Sequence, residues 1–133
     1  MLFNGKEVPF GNILYECKNI PGLKVAVDSG APILNNNASI LVNLAYKNEL
    51  VGSLDSAITR IKALTSELNA GYIYANATKG ESTTDFVFGG VNIICENGKI
   101  IKQSKAFTSG LIVSDIDVDF LQTEKAKSGY TGY

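Results

Sequence analysis

The side chains here that could do chemistry are two cysteines, a scatter of carboxylates and hydroxyls, and lysines; histidine is absent. Without an imidazole neither a Ser-His-Asp nor a Cys-His relay can be assembled, and the usual zinc sites lose a principal ligand. Cys17 and Cys95 have no metal or redox spacing. Cys95, in Ile94-Cys95-Glu96, admits two readings: a displaced nucleophile, or a small buried hydrophobe ahead of a turn. Cys17 precedes a Lys-Asn turn and reads as a surface or edge thiol. The densest polar cluster is Glu81-Ser82-Thr83-Thr84-Asp85. Its carboxylates and hydroxyls could bind a cation or line a pocket. The plainer alternative is a loop closed by its own hydrogen bonds, as Ser, Thr and Asp favour.

The elements that must position these groups alternate between strand and helix signals. Asn4-Gly5 marks a tight turn between short extended pieces, and Pro21-Gly22 marks another. Strands are predicted at Ile13–Tyr15, Leu23–Val27 and Ala38–Ala45, the last apolar enough to be buried on both faces. Leu54, Ala57, Ile58, Ile61, Leu64 and Leu68 fall on one face of a helix, with Ser53 as its predicted N-cap and Asn69 at its end. Tyr72–Ala75 is the next strand. Phe86–Ile94 and Ile100–Ser104 flank Asn97-Gly98, the preferred pair for a type I′ hairpin. Leu111–Ile116 reads as a final strand, and Asp117 as the cap of a helix reaching Lys127. Residues 128–133 read as a mobile tail behind a single domain over 1–127. Strands interleaved with a long helix predict an α/β sandwich.

At 133 residues and net charge −1 the chain is one domain's length with no strongly basic face, which argues against nucleic acid as a partner. Its longest apolar runs, such as Ile40-Leu41-Val42, are too short to span a bilayer, so no membrane partner is expected. Met1–Lys6 does not read as a secretory signal, which favours the cytosol.

The run Tyr74-Ala75-Asn76-Ala77 followed by Gly80-Glu81-Ser82-Thr83-Thr84-Asp85 and Phe88-Gly89-Gly90 is too irregular to come from strand or helix periodicity. It resembles the YANA…GESTTD…F-G-G segment of the glutaminase domain of glutamine-dependent NAD synthetases, within the carbon–nitrogen hydrolase (nitrilase) superfamily. Weaker matches follow the same order. Glu7–Asn12 is similar to the family's EVPFGT, and Val42-Asn43-Leu44 with Val51-Gly52 to its N-L-S…G stretch. Val91–Gly98 resembles a family hairpin, and Asp115–Lys125 its closing segment. The resemblance covers nearly the whole chain and corresponds to the second half of a glutaminase domain. It implies the C-terminal half of an α-β-β-α sandwich of two packed sheets, completed by oligomerisation.

The family's reaction uses a cysteine nucleophile, a glutamate base and a lysine. The resemblance assigns the glutamate and lysine to a half with no counterpart here. The nucleophile strand, V-E-I-C-E-D in the family, corresponds to Val25-Ala26-Val27-Asp28-Ser29-Gly30, so Asp28 stands at the cysteine's place. Amide hydrolysis through a thioester needs a thiolate, and a carboxylate attacks an amide poorly. Ser29 is one residue on, so its side chain turns to the opposite strand face, and it has no base. The substrate-holding serine and arginine of the family correspond to Lys47 and Ser53, and an ion pair between Lys47 and Asp28 is one expectation.

The implied protein is a catalytically defective fragment or remnant that acts as a scaffold or interaction module, either as a homo-oligomer or with the remaining parts of an NAD synthetase. The alternative is a carbon–nitrogen hydrolase completed by a partner chain. No cofactor is expected in this chain, since ATP and the dinucleotide belong to the synthetase domain.

Overall fold

The computed structural model describes residues 1–11, 13–28, 37–46, 48, 50–83 and 88–128. A six-stranded mixed sheet carries the molecule, in the order β3-β4-β5-β6-β7-β8. Its strands are β3 (Leu14–Glu16), β4 (Lys24–Val27), β5 (Ile40–Ala45), β6 (Gly71–Asn76), β7 (Asn92–Glu96) and β8 (Lys99–Gln103). The central strands β4, β5 and β6 run parallel, and the outer neighbours pair antiparallel. Parallel neighbours need a long crossover, and α1 (Ser53–Leu68) supplies it between β5 and β6. A separate two-stranded hairpin, β1 (Leu2–Phe3) with β2 (Lys6–Glu7), turns on Asn4-Gly5 as the sequence indicates.

Strand register explains the core. Leu14, Ala26, Leu41, Tyr72, Cys95 and Ile100 stand opposite one another in a single row across all six strands. Residues in such a row share one face, and every member of this one belongs to the core or packs against it. The apolar stripe of α1 closes over this face, with Ile61 and Leu68 buried and Leu54, Ile58 and Leu64 packed alongside. Burying a side chain such as Ile61 contributes about 1.5–3 kcal/mol. The helix ends at Asn69, whose left-handed backbone (φ 50) lets its N–H reach the Thr65 carbonyl.

The opposite face is built from the alternate rows. Val27, Val42, Ile73 and Ile94 are aligned there, with Leu44 one step along β5. Val27 is 60% exposed and Leu44 77% exposed, so among the described residues no layer covers this face at the end where β4 and β5 finish. The expectation that β5 is buried on both faces is therefore corrected: the strand is covered by α1 on one side only. One layer of the implied sandwich is present.

Three local expectations also change. Ser53 is the first helical residue rather than the cap, because Val51-Gly52 turns the chain through a left-handed Gly52 (φ 79) and no side chain caps the helix. The Ser53 hydroxyl instead accepts a hydrogen bond from the Leu50 N–H at 3.1 Å. The strand expected over Phe86–Ile94 begins at Asn92; Phe88 makes a lone bridge to Asn48, and residues 84–87 lie outside the described residues. Leu111–Ile116 pairs with no strand among the described residues. Its alternation serves to lay Ile112, Ser114 and Ile116 inward, with Ile116 against Gly71 and the Val113 carbonyl accepting from Lys102 Nζ.

Asn97 (φ 45) and Gly98 (φ 84) form the β7–β8 turn with the positive φ pair expected of type I′. Asp117 caps α2 (Val118–Lys127), accepting from the Phe120 N–H at 2.9 Å. The predicted tail lies outside the described residues from 129 onward.

Candidate functional site

β4 delivers Asp28 to the end of the parallel strands. Its N–H still donates to the Val42 carbonyl at 2.8 Å, so the residue continues the ladder and its side chain falls on the same face as Ala26, beneath α1. The residue is only 1% exposed. Two donors meet its Oδ2: Arg60 Nη2 at 3.0 Å and the Tyr72 hydroxyl in a short hydrogen bond. The Tyr72 oxygen in turn accepts from Asn43 Nδ2 at 3.1 Å and Arg60 Nη1 at 3.4 Å. Residues from just past the end of β4, from within β5, from the start of β6 and from the middle of α1 thus close a polar network under the helix.

Each position follows from local structure. Tyr72 belongs to the core row, so its ring is buried while its hydroxyl emerges beside Asp28. Asn43 is two residues beyond Leu41, on the same face of β5. Arg60 lies at the margin of the apolar stripe, between Ala57 and Leu64 at helical spacing, and its side chain is half exposed. Burial is the main reason the Tyr72 phenol is pushed up to about 12; its bond to the Asp28 carboxylate adds to this, and the donors Arg60 and Asn43 oppose it. The hydrogen bond to Tyr72, with Asp28, holds the Arg60 guanidinium above its ordinary value against the effect of burial.

Beside the network lies a cavity of about 460 Å³ between α1 and the sheet. Asn43, Asn48, Asn76, Ser53, Ser56 and Arg60 supply its polar lining, and Leu54, Ala57, Ile61, Tyr74 and Val91 its apolar wall. That size and mixture suit a small ligand. No cysteine lines it. Cys95 is fully buried under Thr65, 3.4 Å from its hydroxyl, and burial raises its thiol pKa. It is the buried hydrophobe of the two readings, because a nucleophilic cysteine needs an exposed, lowered thiol. Cys17 is half-buried on the connection before β4.

The remaining expected residues divide. Ser53 lines the cavity. Ser29, Lys47, Thr84 and Asp85 lie outside the described residues. Glu81 accepts from the Thr78 N–H at 2.9 Å and Ser82 from the Phe88 N–H at 3.0 Å, so both side chains hold the loop's own backbone. Thr83 is exposed. Among the described residues no three His, Cys, Asp or Glu side chains gather as a metal site would require. Among the described residues it is Arg60, which no motif picked out, that supplies a cation to Asp28; the expected partner Lys47 lies outside them. The available signal was that Arg60 is the sole arginine of the chain, at the margin of the helix's apolar stripe.

No family model matches the chain. Among curated proteins it is 28% identical over 138 residues to the glutamine-dependent NAD(+) synthetase of Mycobacterium tuberculosis, covering 94% of this chain and 20% of that protein. Among solved structures, the glutamine-dependent NAD+ synthetase from Acinetobacter baumannii, in complex with ADP, superimposes with a TM-score of 0.71 at 19% identity, over 86% of this chain and 23% of that one. A nitrilase-superfamily amidase from Nesterenkonia gives 0.59 at 20% identity, over 96% of this chain and 49% of the amidase. The fold is a nitrilase-superfamily fold, in part. The matching stretch of the synthetases thus shares its fold with a nitrilase-superfamily amidase. The chain spans about a fifth of the length of the curated relatives it matches. In this fold Asp28 follows the last residue of the parallel strand β4, and its Oδ2 meets a guanidinium and a phenol. No helix among the described residues is long and apolar enough to cross a membrane.

Proposed function

We propose that this chain is a glutaminase-like module that does not hydrolyse amides and acts through contacts with other polypeptides. The single observation that carries this is Asp28. The resemblance puts the cysteine nucleophile there, and the side chain that replaces it is buried and bonded to Arg60 and Tyr72. A carboxylate so engaged neither attacks a carbonyl nor takes a proton from an attacking group. A partner chain could lend a glutamate or a lysine, but it cannot place a sulfur in the middle of this sheet.

The exposed apolar face supports the second half of the proposal. Val27 and Leu44 are too exposed for an isolated soluble surface to carry without consequence, and a second copy covering them gives a homo-oligomer. Remaining parts of an NAD synthetase are the other candidate partners, and ATP and dinucleotide would bind there rather than here. The cytosol is the compartment this relationship implies, with both thiols reduced.

Ammonia release from glutamine tests the catalytic half. The unmodified chain releases none above the buffer rate, alone or mixed with the first half of a glutaminase domain, which brings the glutamate and the lysine. Ammonia from the unmodified chain overturns the proposal. Ammonia from Asp28→Cys only, in the mixture, supports it, since the sulfur was then the missing part.

A further inference from the structure

A second cavity, of about 150 Å³, lies at the other end of the sheet, where β4 and β5 begin. Lys24 and Lys125 line it together with Asn37, Ser39, Asn69 and Gln122. They come from the start of β4, the approach to β5, the end of α1 and the inner side of α2, so the cavity is assembled by the tertiary fold. No lining residue is acidic. The nearest carboxylate on α2, Glu124, turns to Lys127 at 3.5 Å.

We propose that this cavity is a site for a tetrahedral oxyanion, either free phosphate or the phosphoryl group of a small metabolite. Two ammonium groups provide the charge, and the carboxamides of Asn69 and Gln122 provide neutral donors. Lysine acts as a point charge with several donors, which suits a tetrahedral anion better than a planar carboxylate. Lys125 Nζ donates to the Ala38 carbonyl at 3.1 Å, which fixes the ammonium at the cavity. Asn69 Nδ2 donates to Ser128 Oγ at 3.3 Å, leaving its second N–H for another acceptor. Burial, and then repulsion from Lys24, lower the Lys125 pKa. An anion between them offsets the repulsion. Gln122 is pressed so closely on Gly22 that a Cβ there would sit 2.0 Å from its Nε2, so the carboxamide has a defined place in the wall.

The test is a titration of the full chain with inorganic phosphate against chloride at matched ionic strength, followed through the backbone amide resonances of Gly22, Ser39 and Asn69. The expected result is a saturable shift confined to these residues and to α2, with affinity weakened by about tenfold or more in Lys24→Gln and in Lys125→Gln, roughly the loss of one charged hydrogen bond. Lys125→Gln also removes the Ala38 contact, so Lys24→Gln keeps the test open should that variant fail to fold. Ribose 5-phosphate binding more tightly than phosphate identifies a metabolite as the source, and equal binding identifies the free ion. A response no different from chloride, binding unchanged in Lys24→Gln, or a response to acetate alone overturns the proposal and leaves Lys125 as a support for the Ala38 carbonyl. None of these outcomes bears on amide hydrolysis.

Discussion

The Arg60 guanidinium holds two partners at once, the Asp28 carboxylate and the Tyr72 oxygen, and its removal exposes what the network is for. Taking one member from a buried charged pair is costly because the other stays behind in a poor solvent for charge. Arg60→Met is expected to destabilise the fold by about 3–5 kcal/mol, discounted toward the lower figure because half of the Arg60 side chain is already in water. Urea denaturation measures it, and Asp28→Asn combined with Arg60→Met should recover part of the loss. Tyr72 adds a pH dependence. A phenol raised from about 10 to about 12 in the folded state favours folding fully below pH 10. That contribution, on the order of 2 kcal/mol, drains away as pH climbs from about 10 to about 12, because the unfolded chain ionises first. Tyr72→Phe should lack this component, so the difference in stability between wild type and variant should shrink over that interval. A constant difference would show that Tyr72 ionises normally.

At the scale of elements, the turns and caps are where single residues matter most. Asp117→Ala should cost about 1 kcal/mol, the usual worth of an N-cap hydrogen bond, and lower the helix signal of α2 before that of α1. Gly98→Ala should cost about 1–2 kcal/mol from its left-handed backbone, and its new Cβ would crowd Ser66 Cβ at 3.2 Å; thermal denaturation checks both. These two features were legible in the sequence, because an Asp before an apolar helical stretch and an Asn-Gly pair between strands act through local geometry. The start of α1 was legible to within one residue only. Gly52 takes a backbone conformation that Ser53 cannot adopt cheaply, and the serine becomes a helical residue instead of its cap. The segment 111–117 shows the converse failure. Its apolar alternation is real, but it pairs with no strand among the described residues, and alternation alone does not distinguish a paired strand from an extended strap.

For the whole molecule the deciding feature is asymmetry between the sheet's two faces. One carries the core and α1; the other leaves Val27 and Leu44 in water. Leu44→Lys should turn an oligomer into a monomer by light scattering while costing less than about 0.5 kcal/mol in the stability of the protomer, as a change at an exposed position does. A wild-type chain that is already monomeric at micromolar concentration removes the proposed self-association and leaves the face to a different polypeptide.

The sequence by itself determined the stripe of α1, the hairpin at Asn97-Gly98 and the likeness to a nitrilase-type segment, since each is written in short-range spacing or in a contiguous motif. It also put an aspartate where that likeness has a cysteine. Only the tertiary structure decided what that aspartate does. Arg60, Tyr72 and Asn43 are far from Asp28 along the chain and meet it through parallel strand pairing and a crossover helix. The same pairing brings Lys24 and Lys125 to one cavity. A polar group's role depends on which partners share its low-dielectric surroundings, and those partners are fixed by register and packing rather than by distance along the chain.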